Sequence, residues 1–274
     1  MRGHSTEVER GERFRFGANW QRFLRTLTED RIAEAERSLL RLLERESLQG
    51  LRFLDIGCGS GLFSLAARRL GATVHSFDYD PQSVACTREL KRRYFPDDPA
   101  WTIEEGSVLD REYLHRLGRF DIVYSWGVLH HTGQMAQALA NAAIPVADNG
   151  WLYIAIYNDQ GPISRFWRRV KKTYCANRWG RLLVSGLFIP LFAMRSIAVG
   201  LVKYRHPFGE YVQYKKKRGM SIFYDWIDWL GGYPFEVAKP EEILRVYRAL
   251  GFELTNMTTT NRLGCNEFVF RKAG

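Results

Sequence analysis

The sequence predicts an α/β fold: a seven-stranded, mostly parallel sheet with an antiparallel last strand, helices on both faces, and a helical insertion after the fifth strand. From residue 51 onward, short β-rich segments alternate with helical ones, and the strand segments are almost continuously apolar. Strands of that composition are typical of a parallel sheet that is covered on both faces. A short turn, TTNRLGC, joins the last two strands. These two must pair antiparallel, because a parallel pairing needs a long crossover.

The individual elements follow from apolar periodicity and from capping residues. Thr28 is an N-cap residue followed by two acids, and apolar residues then recur at helical spacing until Gly50 ends the helix. The predicted strands are 51–56, 72–78, 101–106, 120–126, 150–157, 252–258 and 266–272. The helices predicted between them are 62–70, 81–94, 132–146 and 239–251. We expect a leader over 1–50, a core formed by 51–160 and 234–274, and an insertion over 161–233.

The positive charge of the chain is concentrated in one segment. Between Asn158 and Met220 there are 14 Lys and Arg residues against two acids, and the rest of the chain is close to neutral. Such a segment indicates an anionic partner, namely lipid headgroups, RNA, an acidic protein or a phosphorylated substrate, although a solvated surface has the same composition. The four cysteines have no metal-ligand spacing, so we expect neither a metal site nor disulfides. The charged opening, MRGHSTEVERGERF, has no secretory signal pattern, and we expect a cytoplasmic protein.

A carboxylate and alternating glycines follow the first predicted strand. Asp55 ends the strand, and Gly57, Gly59 and Gly61 come before the next helix. Glycine lets a ligand lie against the backbone, and open α/β sheets bind ligands at this edge. The spacing differs from the dinucleotide fingerprint, and the carboxylate favours a cationic or amine-bearing ligand. Asp78 ends the second strand, where its carboxylate could accept both hydroxyl groups of a ribose.

Four motifs in a fixed order carry a family resemblance. DIGCGSG (55–61), FDYDPQSV (77–84), EGSVLD (105–110) and FDIVYSWGVLHHT (120–132) each lie at a predicted strand end. With these motifs the chain resembles the class I S-adenosylmethionine-dependent methyltransferases, and WGVLHHT is similar to the subgroup of quinone-biosynthesis O-methyltransferases. The resemblance implies a Rossmann-like fold, S-adenosyl-L-methionine as cofactor and methyl transfer as the reaction.

The resemblance also implies cofactor contacts. Asp55 would organise the glycine loop around the methionine amino group, and Asp78 would hold the ribose hydroxyls. The glycines that would lie against the cofactor are Gly57, Gly59 and Gly61.

The adenine contacts are implied in the same way. Tyr79 would cover one face of the adenine. Ser107 stands where the family often has an acid near the adenine amine, so that contact would fall to backbone groups of Ser107 and Val108. Ser125 and Trp126 would line the floor beneath the cofactor.

Two histidines follow the fourth strand, where catalytic groups of the resembling family commonly lie. His130 is the first candidate for the base that takes a proton from an alcohol or phenol, and His131 is the second. The alternative is that one of the pair caps the following helix or packs against Trp126.

Candidate substrate residues lie at the same edge and in the leader. Tyr157, Asn158 and Asp159 end the fifth strand and could orient the acceptor, although an Asx turn into the insertion has the same residues. Trp20 belongs to FRFGANW (14–20), which could form an aromatic lid over the cofactor or anchor the first helix.

The predicted insertion is basic and partly apolar. Residues 182–202 are long enough to cross a membrane, but a proline and an arginine in the middle argue against a single isolated span. We expect an amphipathic lid that covers the site or rests on an anionic membrane through 161–220, which would make the protein peripheral to the membrane. A helical pair packed on the domain is the alternative. The run YKKKRG (214–219) could contact phosphate or be solvated.

These observations together predict an enzyme that transfers a methyl group to an oxygen of a small or lipophilic molecule. The first alternative is a protein lysine N-methyltransferase, with the basic insertion docking an acidic partner. RNA methylation comes third, because no recognisable RNA-binding module accompanies the basic segment. A non-catalytic binding protein of the same fold would differ by failing to bind the cofactor.

Overall fold

The computed structural model describes residues 3–211 and 222–274. Its centre is a sheet of seven strands: β1 (Arg52–Ile56), β2 (Thr73–Asp78), β3 (Trp101–Glu105), β4 (Phe120–Trp126), β5 (Val146–Tyr157), β6 (Phe252–Thr258) and β7 (Cys265–Lys272). Their spatial order is β3-β2-β1-β4-β5-β7-β6. The first five strands are parallel, and β7 runs antiparallel between β5 and β6. The predicted fold class is confirmed.

The helices cover both faces of this sheet. They are α1 (His4–Glu9), α2 (Gly17–Leu24), α3 (Glu29–Leu43), α4 (Leu62–Arg69), α5 (Pro81–Tyr94), α6 (Arg111–Leu117), α7 (Met135–Ala142), α8 (Pro162–Ala176), α9 (Arg178–Tyr204), α10 (Ile222–Gly231) and α11 (Pro240–Ala249). The sequence analysis missed α1, α2 and α6, because helices this short carry too little periodicity. It also began β5 too late, because polar residues before Gly150 conceal the pairing of Val146 with Phe120 across a register shift.

The core consists of two apolar layers on opposite sides of the sheet. Successive residues of a strand point to opposite faces, and Phe53 and Leu54 of β1 therefore enter different layers. Phe53 packs in the layer of Leu39 from α3 and Leu65 from α4. Leu54 packs in the layer of Leu139 from α7. The helices thus hold β1, and the loop that follows it, from both sides.

The helices that follow β5 pack mainly on one another. A small buried cluster joins α8, α9 and α10, and it contains Tyr174, Cys175, Val184 and Leu230. In the part of the chain that the structure describes, α9 is the one helix long and apolar enough to cross a membrane, and 11% of its apolar window is buried. The helix continues through Pro190. The predicted phosphate-contacting run at 214–219 lies outside the described residues.

Candidate active site

A deep cleft opens at the carboxyl ends of the parallel strands. Asp55 of β1, Asp78 of β2, Trp126 of β4 and Tyr157 of β5 all line it, and its volume is about 1400 Å³. Open α/β sheets bind ligands at this edge, because the loops that leave neighbouring strands diverge there. The sequence analysis placed its candidate residues at this edge.

Asp55 is held in place by a chain of buried hydroxyl groups. Its Oδ2 accepts a hydrogen bond of 2.5 Å from the Ser64 hydroxyl. Ser64 in turn accepts from the Ser76 hydroxyl at 2.8 Å, and the Trp101 indole donates to Ser76 at 2.9 Å. Burial, with a smaller contribution from the nearby Asp78 carboxylate, raises the pKa of Asp55 to about 7. The carboxyl group is therefore fixed in position but poorly solvated.

Asp78 is fixed by backbone N–H groups. Gly59 N donates to one carboxylate oxygen and Asp80 N donates to the other, each at 2.9 Å. Burial nevertheless raises the pKa of Asp78 to about 6, against the opposing effect of these two hydrogen bonds. Each carboxylate oxygen keeps a second lone pair that can accept a ligand hydroxyl.

The two carboxylates fit the cofactor that the sequence implied. A cation bound between them would favour their ionised forms and offset the cost of burial. S-adenosyl-L-methionine carries two positive groups, an ammonium and a sulfonium, and its ribose offers hydroxyls to the remaining lone pairs of Asp78. Asp55 would hold the ammonium and Asp78 the ribose.

The glycine loop lies between these carboxylates. Gly57 has a φ of 77°, and a Cβ there would lie 2.4 Å from the side chain of Val128. A Cβ on Gly59 would lie 3.2 Å from the indole nitrogen of Trp20. The prediction for Gly61 needs correction, because this residue does not line the cleft. Gly61 is the N-cap residue of α4, and a Cβ there would meet Thr87 at 2.9 Å.

The expected adenine residues also line the cleft. Tyr79, Ser107 and Val108 are all on its wall. The Tyr79 hydroxyl donates to Glu7 at 3.1 Å, and the Arg13 guanidinium lies 5.2 Å from the centroid of the Tyr79 ring. One face of this ring is therefore already covered by the leader, and an adenine would need the other.

Ser125 and Trp126 take different positions. Trp126 is half exposed and lines the cleft, as expected for a residue of the floor. Ser125 is wholly buried and does not line the cleft, so its predicted cofactor contact is wrong. Its hydroxyl donates to Ile56 O at 3.1 Å and ties β4 to β1.

His130 is not the base that the sequence analysis preferred. Leu129–His131 is a 3₁₀ turn, in which neighbouring side chains diverge by about 120°. His130 therefore points into the protein: it is fully buried, does not line the cleft, and its ring centroid lies 4.0 Å from that of Tyr157. Burial holds its pKa well below the ordinary range.

His131 lies on the cleft wall in a single tautomer. Its Nδ1 is 2.6 Å from the carbonyl oxygen of Pro234, which can only accept, so Nδ1 carries the proton. Burial, with smaller contributions from the charges of Lys171 and Arg13, lowers the pKa of His131 to about 3. The ring is therefore neutral near pH 7, with an unprotonated Nε2.

A buried lysine, Lys171, lies behind this histidine. Its ammonium is 4.1 Å from the centroid of the Trp229 ring and donates to the backbone carbonyl of Trp229. Burial lowers the pKa of Lys171 to about 7. The sequence analysis counted this residue with the basic segment, because a lysine within a run of bases gives no sign of burial.

Of the three residues expected at the end of β5, Tyr157 alone lines the cleft. Asn158 is buried instead: its Nδ2 donates to Thr260 O at 2.8 Å, and its Oδ1 accepts from Asn266 at 3.1 Å. Asp159 Oδ1 accepts from Gly161 N at 2.8 Å, which is the Asx turn considered as the alternative. The predicted acceptor contacts of Asn158 and Asp159 are wrong for this reason.

The leader contributes more to the site than its sequence indicated. Phe14, Phe16 and Trp20 line the cleft. Arg13 does so as well, and Asp80 anchors the segment by accepting from Gly17 N at 2.8 Å. No local pattern reveals the contact of Arg13 with His131 or that of Asp80 with Gly17, because these partners are distant in the chain.

One helix of the expected insertion reaches the cleft. Trp226, Asp228 and Trp229 of α10 line it, whereas the described residues 161–211 do not. The lid predicted over 161–220 therefore does not cover the cleft with its described residues, 161–211. No group of metal-ligating side chains occurs within 3–211 and 222–274.

The fold and the cleft define a class I S-adenosylmethionine-dependent methyltransferase. The chain belongs to the methyltransferase domain family, whose model matches residues 27–199. This family uses S-adenosyl-L-methionine as its cofactor. The resemblance inferred from the four motifs is thereby confirmed.

Individual relatives match parts of the chain. A ubiquinone biosynthesis O-methyltransferase of Caulobacter sp. (strain K31) is 31% identical over 120 residues, which cover 42% of this chain and 44% of that protein. A ribosomal protein L11 methyltransferase of Methylococcus capsulatus is 42% identical over 72 residues, 26% of this chain and 25% of that protein. The chain thus spans less than half the length of these relatives.

Solved structures share the fold at low identity. Magnesium protoporphyrin IX methyltransferase from Synechocystis PCC 6803 with bound SAH superposes with a TM-score of 0.53 at 14% identity, covering 88% of this chain and 83% of that one. PKMT2 from Rickettsia typhi in complex with AdoHcy has a TM-score of 0.53 at 13% identity, covering 81% and 49%.

Proposed function

We propose that this methyltransferase transfers its methyl group to a hydroxyl oxygen of a small, lipophilic molecule. The observation that carries the proposal is the neutral His131 on the wall of the cleft, with Nδ1 held by Pro234 O. A hydroxyl acceptor must lose its proton, and an imidazole fixed in one tautomer offers a proton acceptor at Nε2.

Methyl transfer to a hydroxyl group can be written with His131 as the proton acceptor so that atoms and charges balance. S-adenosyl-L-methionine bound in the cleft would supply the methyl group: the acceptor oxygen would bond to the methyl carbon as the carbon–sulfur bond breaks, and the electron pair of that bond would stay on sulfur. The hydroxyl proton passes to His131 Nε2. His131 is a weak base with a pKa of about 3. Its protonation is eased in this reaction because the positive charge of the sulfonium disappears in the same step.

The remaining wall of the cleft favours a lipophilic acceptor. Aromatic rings surround the space near His131: the Phe16 centroid lies 5.0 Å and the Tyr157 centroid 5.5 Å from that of His131. Trp229 and Leu263 line the same cleft. Apolar rings can bury a ring or an alkyl chain, while His131 supplies the polar contact that orients it.

The similarity to ubiquinone biosynthesis O-methyltransferases, which covers 42% of this chain in the Caulobacter relative, supports an oxygen acceptor. The family model ends at residue 199, before α10, the helix that carries Trp226 and Trp229. The properties of the acceptor therefore depend on the residues that line the cleft.

Methyl transfer to an amine is the second candidate. Asp228 lines the same cleft as Trp226 and Trp229. A carboxylate and aromatic rings in one cleft suit a cationic amine, including a lysine side chain of a partner protein.

The test supplies the purified chain with methyl-labelled S-adenosylmethionine and two matched sets of acceptors. One set contains phenols with alkyl chains of increasing length, and the other contains primary amines with the same chains. A lysate is then labelled and separated into protein, nucleic acid and organic-soluble fractions. Methylated phenols and label in the organic fraction would support the proposal. Label confined to amines or to protein would overturn it in favour of the second candidate, and label in nucleic acid would overturn both.

A further inference from the structure

The face of α9 that points away from the protein is apolar along its whole length. Trp179, Leu183, Leu187, Met194 and Leu201 recur four or seven residues apart, so they form one stripe along the helix. Their exposed fractions run from 52% to 68%. Three further exposed apolar residues lie beside this stripe: Leu182, Leu191 and Val202.

We propose that this face of α9 docks the enzyme on the surface of an anionic lipid bilayer. In this arrangement α9 lies in the plane of the interface, with the apolar stripe at the boundary of the acyl chains and basic side chains among the headgroups. The cytoplasmic, membrane-peripheral location expected from the sequence is part of this proposal. It goes beyond the proposed acceptor and does not depend on it.

The opposite face of α9 holds the helix on the protein. Phe188 lies 5.3 Å from Trp167 of α8 between ring centroids, and Phe192 lies 5.8 Å from Trp226 of α10. Val184 is buried in the same cluster. One face of α9 is packed on the protein and the other is exposed. The exposed stripe can therefore enter a membrane interface while the helix stays attached to the protein.

The apolar stripe of α9 is unusually long for a surface exposed to water. A helix of 27 residues is about 40 Å long, and the stripe runs along most of it. Contiguous apolar patches of this extent mark interaction sites, because burying apolar surface away from water is favourable in proportion to its area.

The positive charge around the apolar stripe favours an anionic partner. Residues 161–211 contain ten Lys and Arg residues and a single acid, Glu210. Arg195 lies at the middle of α9 with its side chain 71% exposed, 4.0 Å from Glu210. Lys and Arg side chains near an anionic membrane surface are attracted to it and strengthen binding. The exposed bases of this surface include Arg165, Arg169, Lys172, Arg178, Arg181, Lys203 and Arg205.

Other occupants fit this surface less well. A second copy of the chain on the same face would bring two basic surfaces together, and like charges repel. Within residues 161–211, each copy would offer one acid, Glu210, to the bases of the other. RNA would neutralise the bases but would leave the apolar stripe in water. A membrane-spanning α9 would have to give up the packing of Phe188 and Phe192 and to bury Arg195 in hydrocarbon. An anionic bilayer surface would bury the apolar stripe and would also offer negative headgroups to the basic side chains.

The test measures binding of the full chain to vesicles by flotation. One set of vesicles contains phosphatidylcholine alone, and the other contains phosphatidylcholine with phosphatidylglycerol. We expect binding to the anionic vesicles, with release at high salt because the Lys and Arg contribution is screened. Absence of binding to the anionic vesicles would overturn the proposal. Binding that resists high salt and alkaline extraction would also overturn it, because a spanning helix behaves in that way.

Two matched triple variants separate the stripe from general hydrophobicity. L183S/L187S/M194Q removes the centre of the stripe, and we expect it to weaken vesicle binding about tenfold or more. L250S/L254S/M257Q changes the same residue types at exposed positions outside α9, and we expect it to bind as the wild type does. An equal loss of vesicle binding in both variants, or no loss in either, would contradict the assignment of membrane binding to α9.

Two further measurements keep the result unambiguous. Cofactor affinity of both variants verifies that the chain still folds, since the stripe residues do not line the cleft. The molecular mass in solution tests the second copy: a wild-type dimer that becomes monomeric in L183S/L187S/M194Q, without vesicle binding, would overturn the membrane proposal. Acceptor chemistry is read separately, so a failed acceptor assay leaves this test intact.

Discussion

Arg13 of the leader donates a hydrogen bond of 2.8 Å from Nη1 to the main-chain oxygen of His131. The same guanidinium forms an ion pair of 2.6 Å with Glu7 and lies over the ring of Tyr79. One side chain thus connects the leader with the turn that carries the cleft histidine and with the expected adenine residue. These contacts hold the leader against the wall of the cleft.

Arg13→Ala should release this segment and speed cofactor dissociation. Hydrogen bonds to a charged group are worth about 1.5–3 kcal/mol each, so we expect the dissociation rate of S-adenosylmethionine to rise about tenfold. Stopped-flow fluorescence with Trp20 as reporter measures this rate. Arg15→Ala is the matched control, because Arg15 is exposed in the same segment. Equal rates for the wild type and Arg13→Ala would show that the leader does not retain the cofactor.

Asp78→Ala should weaken cofactor binding by about tenfold or more, because it removes an ionised acceptor from the expected ribose site. Asp78→Asn should cause a smaller loss, since its amide oxygen can still accept from Gly59 N. Titration calorimetry gives both values of Kd. Asp30→Ala, at an exposed position in α3, controls for a change of net charge. An unchanged Kd in Asp78→Ala would mean that the ribose lies elsewhere.

Asp55 should make the stability of the cofactor-free protein depend on pH. Its pKa rises on folding from 3.8 to about 7, so the folded chain holds this proton more tightly than the unfolded chain does. The protonated group contributes stability below pH 4, and this contribution is lost as the pH rises through 7. Asp55→Asn cannot ionise, and we expect it to be more stable than the wild type at pH 8 and to bind the cofactor poorly.

Thermal unfolding between pH 4 and pH 8, followed without cofactor, tests the sign of this effect. The difference in Tm between Asp55→Asn and the wild type should grow from about pH 4 to about pH 7 and then level off. Asp148→Asn is the control, because Asp148 is exposed and Lys272 lowers its pKa. A constant difference across the range would contradict the raised pKa of Asp55.

The sequence predicted the sheet because its signals are local. The apolar runs of β1 and β4 and the proline that begins α5 identify those elements without any tertiary information. The short helices α1 and α2 carry no such signal. They are held by distant contacts, such as that of Asp80 with Gly17, which a pattern within one segment does not contain.

The site residues, like the strands, were predictable where the signal in the sequence is local. Asp55 and Asp78 end parallel strands, and strand ends meet at one edge of a sheet, so their proximity followed from the pattern. The roles of Ser125, His130 and Asn158 were wrong because the direction of a side chain at a strand end or in a 3₁₀ turn depends on the packing around it. The partners of these residues, such as Ile56 for Ser125, come from neighbouring strands.

The last prediction separates the two histidines. His131→Ala should lower kcat by about a hundredfold and leave the Kd of the cofactor nearly unchanged, because His131 contacts Pro234 rather than the carboxylates that would hold the cofactor. His130→Ala should instead lower Tm, because it opens a cavity beside Tyr157 in the buried core. At saturating cofactor, wild-type kcat should show no inflection near pH 6.5, since the pKa of His131 lies at about 3. An acidic limb near pH 6.5 that disappears in His131→Ala would contradict the buried, neutral ring, and full turnover of His131→Ala would remove this histidine from the reaction.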